Sequence, residues 1–515
     1  MTIASRTSSL NSLRGGGPLD VLVIGGGIVG SGVARDAALR GLKTALVDQF
    51  DFAFGTSSRS SRLLHGGLRY LAQGRVGLVH EASVEKVTIS HIAPHLAAPL
   101  PFIFPTRRGT EWKRWKLSIG VKAYDWLCGT QKNLGKSQTL SAEQTLKILP
   151  QLNPDRLTGA VRYFDAMTND ARLVLDTLRS AASSGATLVN YCPVTQTRRE
   201  GDLWRCGLAD ASSDGGDSFE LAARCVVNAT GAWADRFPAS GVKLRLTKGV
   251  HLVIDRQRLN VPDAVVMAEG SRILFAIPWG ERVILGTTDT DYDGPPETPT
   301  CEEADLRYIL DVTNATFPSV RLTPADVIST WVGLRPLISK GGESGHGKPS
   351  DISRAHQIDM TEPGWIDVAG GKLTTYRLMA EQTVDRAIEF LNLPLAPPAC
   401  RTATTPLLDD RSPRPAYSGI LPPDVSREAV EHYVRHEWAM HLVDVMIRRT
   451  SWRYYHRDHS AIARQVATWM RELLGWSDDR TAEELKLYET TIAQATCGLA
   501  PPAPTRSAAA QVQPA

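Results

Sequence analysis

Cysteine is scarce in this chain. Seven are scattered through 515 residues and never spaced as C-x-x-C, so neither a disulfide framework nor a zinc site is expected, and a reducing compartment is. Excess charge of one sign is also missing. The chain has 58 basic and 55 acidic residues, a net charge of +3, which speaks against a dedicated nucleic-acid binder. No apolar run approaches the ~18 residues of a membrane span. No internal repeat is visible. Glycine and proline, 42 and 31 residues, stay near ordinary usage, which excludes a collagen-like or wholly disordered chain. Residues 1–17 are rich in Ser, Thr, Arg and Gly, lack an apolar secretory core and contain no acid. They are expected to be a disordered tail, as is the Pro/Ala/Ser-rich stretch 500–515.

What is present is enough length for several domains and a readable order of elements. Leu19 to Ile24 reads as a buried strand, Ile28 to Leu39 as a helix and Lys43 to Val47 as a second strand. That βαβ unit implies a parallel sheet. A further helix–strand pair runs from Ala171 to Val189, and Leu221 to Asn228 is another buried strand. Ile273 to Pro278 and Arg282 to Gly286 read as a hairpin, and Trp365 to Ala369 as a short strand before a helix ending at Leu391. Ser426 to Leu474 and Thr481 to Gln494 are helical in pattern.

Gly25-Gly26-Gly27-Ile28-Val29-Gly30 follows the first strand and opens the helix. In such a motif Gly25 allows the tight turn, Gly27 lets the backbone approach a pyrophosphate, and Gly30 lets the helix pack close to the strand. The helix N-terminus favours the diphosphate. Asp48 ends the second strand 23 residues after Gly25, close to the ~20 expected of the acid that binds the ribose. A bound dinucleotide follows, but the motif does not separate NAD from FAD. Ala229-Thr230-Gly231 ends a buried strand in small residues. Gly370-Gly371-Lys372-Leu373-Thr374 joins a strand to a helix, whose N-terminus would stabilise negative charge on a reduced flavin.

The segment Thr56–Tyr70 adds clustered hydroxyls, a glycine pair and a cationic–aromatic end. With it the chain resembles the FAD-dependent, quinone-linked glycerol-3-phosphate dehydrogenase family. The matching segments are GGGIVGSGVARDAALRG, TSSRSSRLLHGGLRY, NDARLVLDTL, VNATGAWAD, LTKGVH, IPWGERVILGTTDTDY, GLRPL, GGKLTTYRLMAE and HEWAMHLVDVMIRRT. The resemblance implies an α/β fold: a two-dinucleotide-fold (Rossmann-like) FAD domain, a β-rich substrate domain and a C-terminal helical domain. The FAD domain is expected over 18–105, 155–240 and 333–395. Membrane or cap helices are expected over 106–154, the substrate domain over 241–332, and a shortened helical domain over 405–497.

The resemblance also implies an activity. A hydride passes from C2 of sn-glycerol 3-phosphate to FAD, giving dihydroxyacetone phosphate, and electrons go on to membrane quinone. A phosphate dianion calls for Arg and Lys. By resemblance Arg69, Tyr70, Lys372, Arg335, Thr288 and Arg354 are assigned to the substrate, with Arg335, Lys372 and His65 in catalysis. The base is either His65 or a lysine of lowered pKa. The expected cofactor set is Gly25, Gly27, Gly30, Asp48, Thr56, Ser57, Ser58, Ser61, His65, Gly66, Gly67, Ala229, Thr230, Gly231, Gly333, Gly370, Gly371, Lys372, Leu373 and Thr374. Arg59 and Arg62 read as solvated surface groups. No metal is expected. Trp112, Trp115, Ile119 and Trp126 fall near one helical face beside Lys113, Arg114 and Lys116, a pattern suited to an anionic membrane surface. The expected partners are therefore substrate, quinone, a membrane surface and a second copy of the chain, with no nucleic acid. The expected location is cytoplasmic, at the inner face of the cell membrane. Three alternatives stay open: an oxidase using oxygen, a FAD dehydrogenase of another phosphorylated or acidic alcohol, and an inactive flavin-binding scaffold.

Overall fold

The computed structural model describes residues 5–67, 74–127, 134–212, 216–270, 272–339, 356–408 and 417–496. Two sheets organise them. The first has eight strands. Its path is β17 (Gln357–Glu362), β18 (Trp365–Ala369), β10 (Ser218–Asn228), β1 (Leu19–Ile24), β2 (Thr44–Val47) and β7 (Thr187–Val189), with β8 (Val194–Glu200) and β9 (Leu203–Ala209) added at β10. β1 lies parallel to both β2 and β10. It is apolar almost throughout because both of its faces are covered. On one side the helix Ile28–Leu39 packs against the helices Asp170–Ser183 and Tyr376–Leu391. A Cβ on Gly32 would lie 3.0 Å from that of Ala380, so these helices meet at glycine-limited distance.

The second sheet has ten strands. Its path is β15 (Thr290–Asp291), β11 (Leu244–Asp255), β14 (Arg282–Gly286), β13 (Arg272–Trp279), β12 (Ala264–Glu269), β4 (Ala98–Arg107), β6 (Leu157–Met167) and β3 (Leu63–Leu64). β16 (Val327–Ile338) pairs along β11, and β5 (Gln138–Leu140) along β6. The expected hairpin is present as β13–β14. The expected limits of the substrate domain are too narrow, however. β4 and β6, placed with the FAD domain by sequence order, extend this sheet because β4 pairs in parallel with β12.

Two further expectations are corrected. Residues 6–15 are not a tail but a helix, Arg6–Gly15, capped by Ser5. Leu10 and Leu13 bury its one apolar stripe, and Arg6 reaches Asp210 at 2.7 Å and the Asn190 carbonyl at 3.0 Å. Cys301 is disulfide-bonded, a bridge that the cysteine spacing did not signal.

The C-terminal unit comprises the helices Arg427–His436, Trp452–Tyr455, His459–Leu474 and Asp478–Ala495, with a π-helical turn at Asp444–Arg449. The pattern read as one helical run over 426–474 is thus broken three times. Buried ion pairs dock this unit on the helix Asp170–Ser183 and on the turn that follows β2. Arg172 meets Glu437 at 2.5 and 2.8 Å, and Arg449 meets Asp51 at 2.6 and 2.9 Å.

Candidate active site

The glycine motif sits where β1 turns into the helix Ile28–Leu39. Gly25 has φ +107°, and a Cβ there would lie 2.6 Å from the Ala229 carbonyl oxygen. A Cβ on Gly30 would lie 1.9 Å from the Gly25 oxygen. Only glycines permit this approach of strand, return strand and helix. The resulting cleft, about 530 Å³, is lined by Gly25, Gly27, Asp48, Thr56, Ser57, Ala229, Thr230 and Gly231. Asp48 accepts hydrogen bonds from the amides of Gly26 at 2.6 Å and Phe50 at 2.8 Å. Burial outweighs those two donors and pushes its carboxyl up to about 7. Glycines at a helix N-terminus, a carboxylate at the end of β2 and small residues after β10 fit the diphosphate and ribose of a dinucleotide.

A second cavity of about 500 Å³ adjoins the first. The two share walls at Ile28, Thr56, Ser57 and Gly370 to Leu373. Three chain segments are stitched together here. Thr56 Oγ1 donates to the Leu334 carbonyl at 2.6 Å. Thr374 Oγ1 accepts from the His65 amide at 3.0 Å and donates to the His65 carbonyl at 3.1 Å. Ser57 Oγ accepts from the Ile28 amide at 3.0 Å.

Of the residues assigned to chemistry, His65, Thr288, Arg335 and Lys372 all line the second cavity. Arg335 donates to Asp289 at 3.1 Å, the Thr288 carbonyl at 3.2 Å and Thr287 at 3.3 Å. A Cβ on Gly249 would lie 2.5 Å from its Nη2, so Gly249 makes room for the guanidinium. The Thr288 hydroxyl accepts from the Val250 amide at 3.0 Å. Ser61, Gly67, Gly333, Gly370, Gly371 and Leu373 complete the wall among the expected residues. Gly30, Ser58, Gly66 and Thr374 line neither cavity. Gly30 and Thr374 act behind the walls as described, and the Gly66 amide donates to the Tyr124 hydroxyl at 2.6 Å. Ser58 is buried in the core. Arg69, Tyr70 and Arg354 lie outside the described residues.

Sequence reasoning missed His251. It follows Lys248 on β11 inside a segment already singled out, yet alternation along a buried strand does not mark it. Its Nε2 lies 2.8 Å from Ser61 Oγ, and its ring stacks on Trp331 with centroids 5.1 Å apart. Burial, then the charges of Arg335 and Arg62, push its pKa down to about 3. Arg59 and Arg62 were also misjudged. Arg62 is fully enclosed between the rings of Trp279 and Trp331, and Arg59 lines the second cavity.

Fold and site together define an FAD-dependent oxidoreductase. The family model of that description matches residues 20–383, and one described as the C-terminal domain of alpha-glycerophosphate oxidase matches 418–481. A glycerol-3-phosphate dehydrogenase of Mycobacterium leprae is 36% identical over 523 residues, covering 92% of this chain and 88% of the relative. Glycerol-3-phosphate dehydrogenase 2 of Mycobacterium bovis is 42% identical, covering 73% of this chain and 64% of the relative. The solved glycerol-3-phosphate dehydrogenase of Bacillus halodurans, complexed with FAD, superposes with TM-score 0.75 at 29% identity, covering 96% of this chain and 98% of that one. The chain belongs to the FAD-dependent glycerol-3-phosphate dehydrogenase family, and FAD is its cofactor.

Proposed function

We propose that the chain oxidises sn-glycerol 3-phosphate to dihydroxyacetone phosphate and delivers the electrons to a membrane quinone. One observation carries this reading: a cavity furnished with Arg335, Lys372, His65 and His251 opens directly off the dinucleotide cleft through shared walls. When bound, FAD supplies the acceptor for the hydride leaving C2. The chain's own residues do the rest. Arg335, aimed by Asp289 and the Thr288 carbonyl, and Lys372 hold an anionic substrate and favour loss of the proton from its hydroxyl. His65, fixed through its backbone by Thr374, is the base that accepts that proton. His251 is too weak a base near neutral pH for that task and instead presents a neutral ring to Ser61.

The direct test is anaerobic addition of sn-glycerol 3-phosphate to the FAD-loaded protein. The flavin absorbance is expected to bleach, and glycerol without phosphate is expected to leave it unchanged. Persistent colour with the phosphorylated substrate overturns the reading. Lys372→Ala and Arg335→Ala should each lower turnover far more than flavin content, and equal loss of flavin contradicts their placement. The matched oxidase C-terminal domain supports a second reading for the acceptor: oxygen in place of quinone. Peroxide release undiminished without quinone or dye decides for it.

A further inference from the structure

Arg59 differs from the neighbouring cations whose partners are described. Arg335 is paired with Asp289 at 3.1 Å, Arg448 with Asp51 and Asp444, and Arg449 with Asp51 at 2.6 Å. Arg62 donates to Ser451 at 2.9 Å and lies between two indole rings. Among the described residues the Arg59 guanidinium makes no hydrogen bond and no ion pair. Its contact is the Phe54 ring, 5.1 Å from Cζ to the centroid.

Arg59 is half-buried and lines the second cavity together with Thr56, Ser57, Ser60 and Ser61. Burial disfavours its charge, Tyr454 partly favours it, and Arg448, whose guanidinium also lies over the Phe54 ring at 5.7 Å, adds repulsion. A guanidinium nevertheless stays protonated at any working pH, and a desolvated, unpaired charge is costly to fold. The acids of the cavity wall do not relieve that cost. Asp289 is engaged by Arg335, and Asp165 by Lys86 at 3.0 Å and by Tyr124 at 2.5 Å. A ligand anion in the cavity would supply the partner that the wall does not.

Other donors beside Arg59 indicate its chemistry. Ser57 Oγ accepts from the Ile28 amide, which leaves its own O–H proton for a ligand oxygen. The helix beginning at Ile28 directs its positive end at the same wall. A planar fork, a free hydroxyl proton and a helix N-terminus match the several oxygens of a phosphoryl group. We propose that Arg59 binds a phosphoryl group at this cavity. The group belongs either to the phosphorylated substrate or to the FAD diphosphate. Only the first source rests on the function proposed above.

The FAD-loaded protein and its Arg59→Met and Arg59→Lys variants separate the possibilities. Met keeps the packing on Phe54 without the charge, and Lys keeps the charge. Inorganic phosphate binding is measured by titration calorimetry, KM by turnover with sn-glycerol 3-phosphate, and FAD release by the rise of free-flavin fluorescence. Arg59→Met is expected to weaken phosphate binding and raise KM by about tenfold to a hundredfold, the worth of one charge-assisted partner. FAD release should stay unchanged, and Lys should recover part of the loss. Faster FAD release by a similar factor, with KM and phosphate binding unchanged, assigns the phosphoryl group to the cofactor and also supports the proposal. If Arg59→Met leaves phosphate binding, KM and FAD release as in wild type, the proposal is overturned. A wild-type protein that binds phosphate but is not reduced by glycerol 3-phosphate counts against the substrate reading and not against Arg59.

Discussion

His251 shows how the burial of a single side chain ties stability to pH. Its pKa falls from an ordinary 6.5 to about 3, chiefly through burial, with Arg335 and Arg62 adding to the effect. His459, buried beside Arg453, falls to about 3 as well. Between those limits the unfolded chain binds protons that the folded chain refuses, so stability rises with pH through the window and falls as pH drops from 6.5 toward 3. Denaturant midpoints of the FAD-loaded protein should therefore decline over that range, and His251→Asn should make the decline shallower. An unchanged slope would show that His251 is not held neutral. None of this was legible in the sequence. A histidine at an alternating position of a buried strand looks like any core residue, and its role comes from Ser61, Trp331 and Arg335, which lie far from it along the chain. The same holds for Arg59, whose setting depends on a Phe54 ring and a cavity. Gly25 and Asp48 were legible because each belongs to a local motif whose geometry is fixed within a few residues, whereas Arg335 and Lys372 were named only through the family resemblance.

At the scale of elements, the strand–helix–strand opening was readable because its apolar runs, glycines and acid are contiguous. Membership of the second sheet was not, since β4 and β6 reach it only through the long-range pairing of β4 with β12. The helix Arg6–Gly15 was missed for a related reason. Its stripe of Leu10 and Leu13 is too short to show a period and is stabilised by Arg6 contacts some two hundred residues away. The glycine motif supports a sharp prediction. A methyl on Gly30 would meet the Gly25 oxygen, which is backbone and cannot swing aside. The helix must then lift from β1, and the cleft loses its amide floor. Gly30→Ala is expected to purify with less than about a tenth of the wild-type FAD content, a loss of more than about 1.4 kcal/mol of binding. Gly77→Ala serves as control, because a Cβ there meets nothing within 4 Å; it should keep its flavin and gain up to about 1 kcal/mol in stability. Full flavin content in Gly30→Ala would place the diphosphate elsewhere.

Over the whole molecule, the buried ion pairs and the exposed surface divide the charge unequally. Arg172, Glu437, Asp51 and Arg449 are buried and bind the C-terminal unit to the helix Asp170–Ser183 and to the turn after β2. The opposite case is the helix Arg114–Trp126. It buries Leu117, Val121 and Tyr124 but leaves Trp115 61%, Ile119 62% and Trp126 80% exposed. Trp112, expected on that face, is instead half-buried against Phe104 with ring centroids 5.1 Å apart. No helix among the described residues is long and apolar enough to cross a membrane. Three large side chains on one helical face, with Lys116 and Lys122 beside them, suit insertion at an anionic lipid surface. Each would gain about 1.5–3 kcal/mol on full burial, enough together for reversible attachment. The FAD-loaded protein is expected to float with phosphatidylglycerol vesicles at low salt and less so at high salt. Trp115→Ser, Ile119→Ser and Trp126→Ser combined should leave it at the bottom of the gradient with its flavin intact. Wild type remaining at the bottom at low salt rules out this face as the attachment site, and a triple variant that still floats shifts it to another surface.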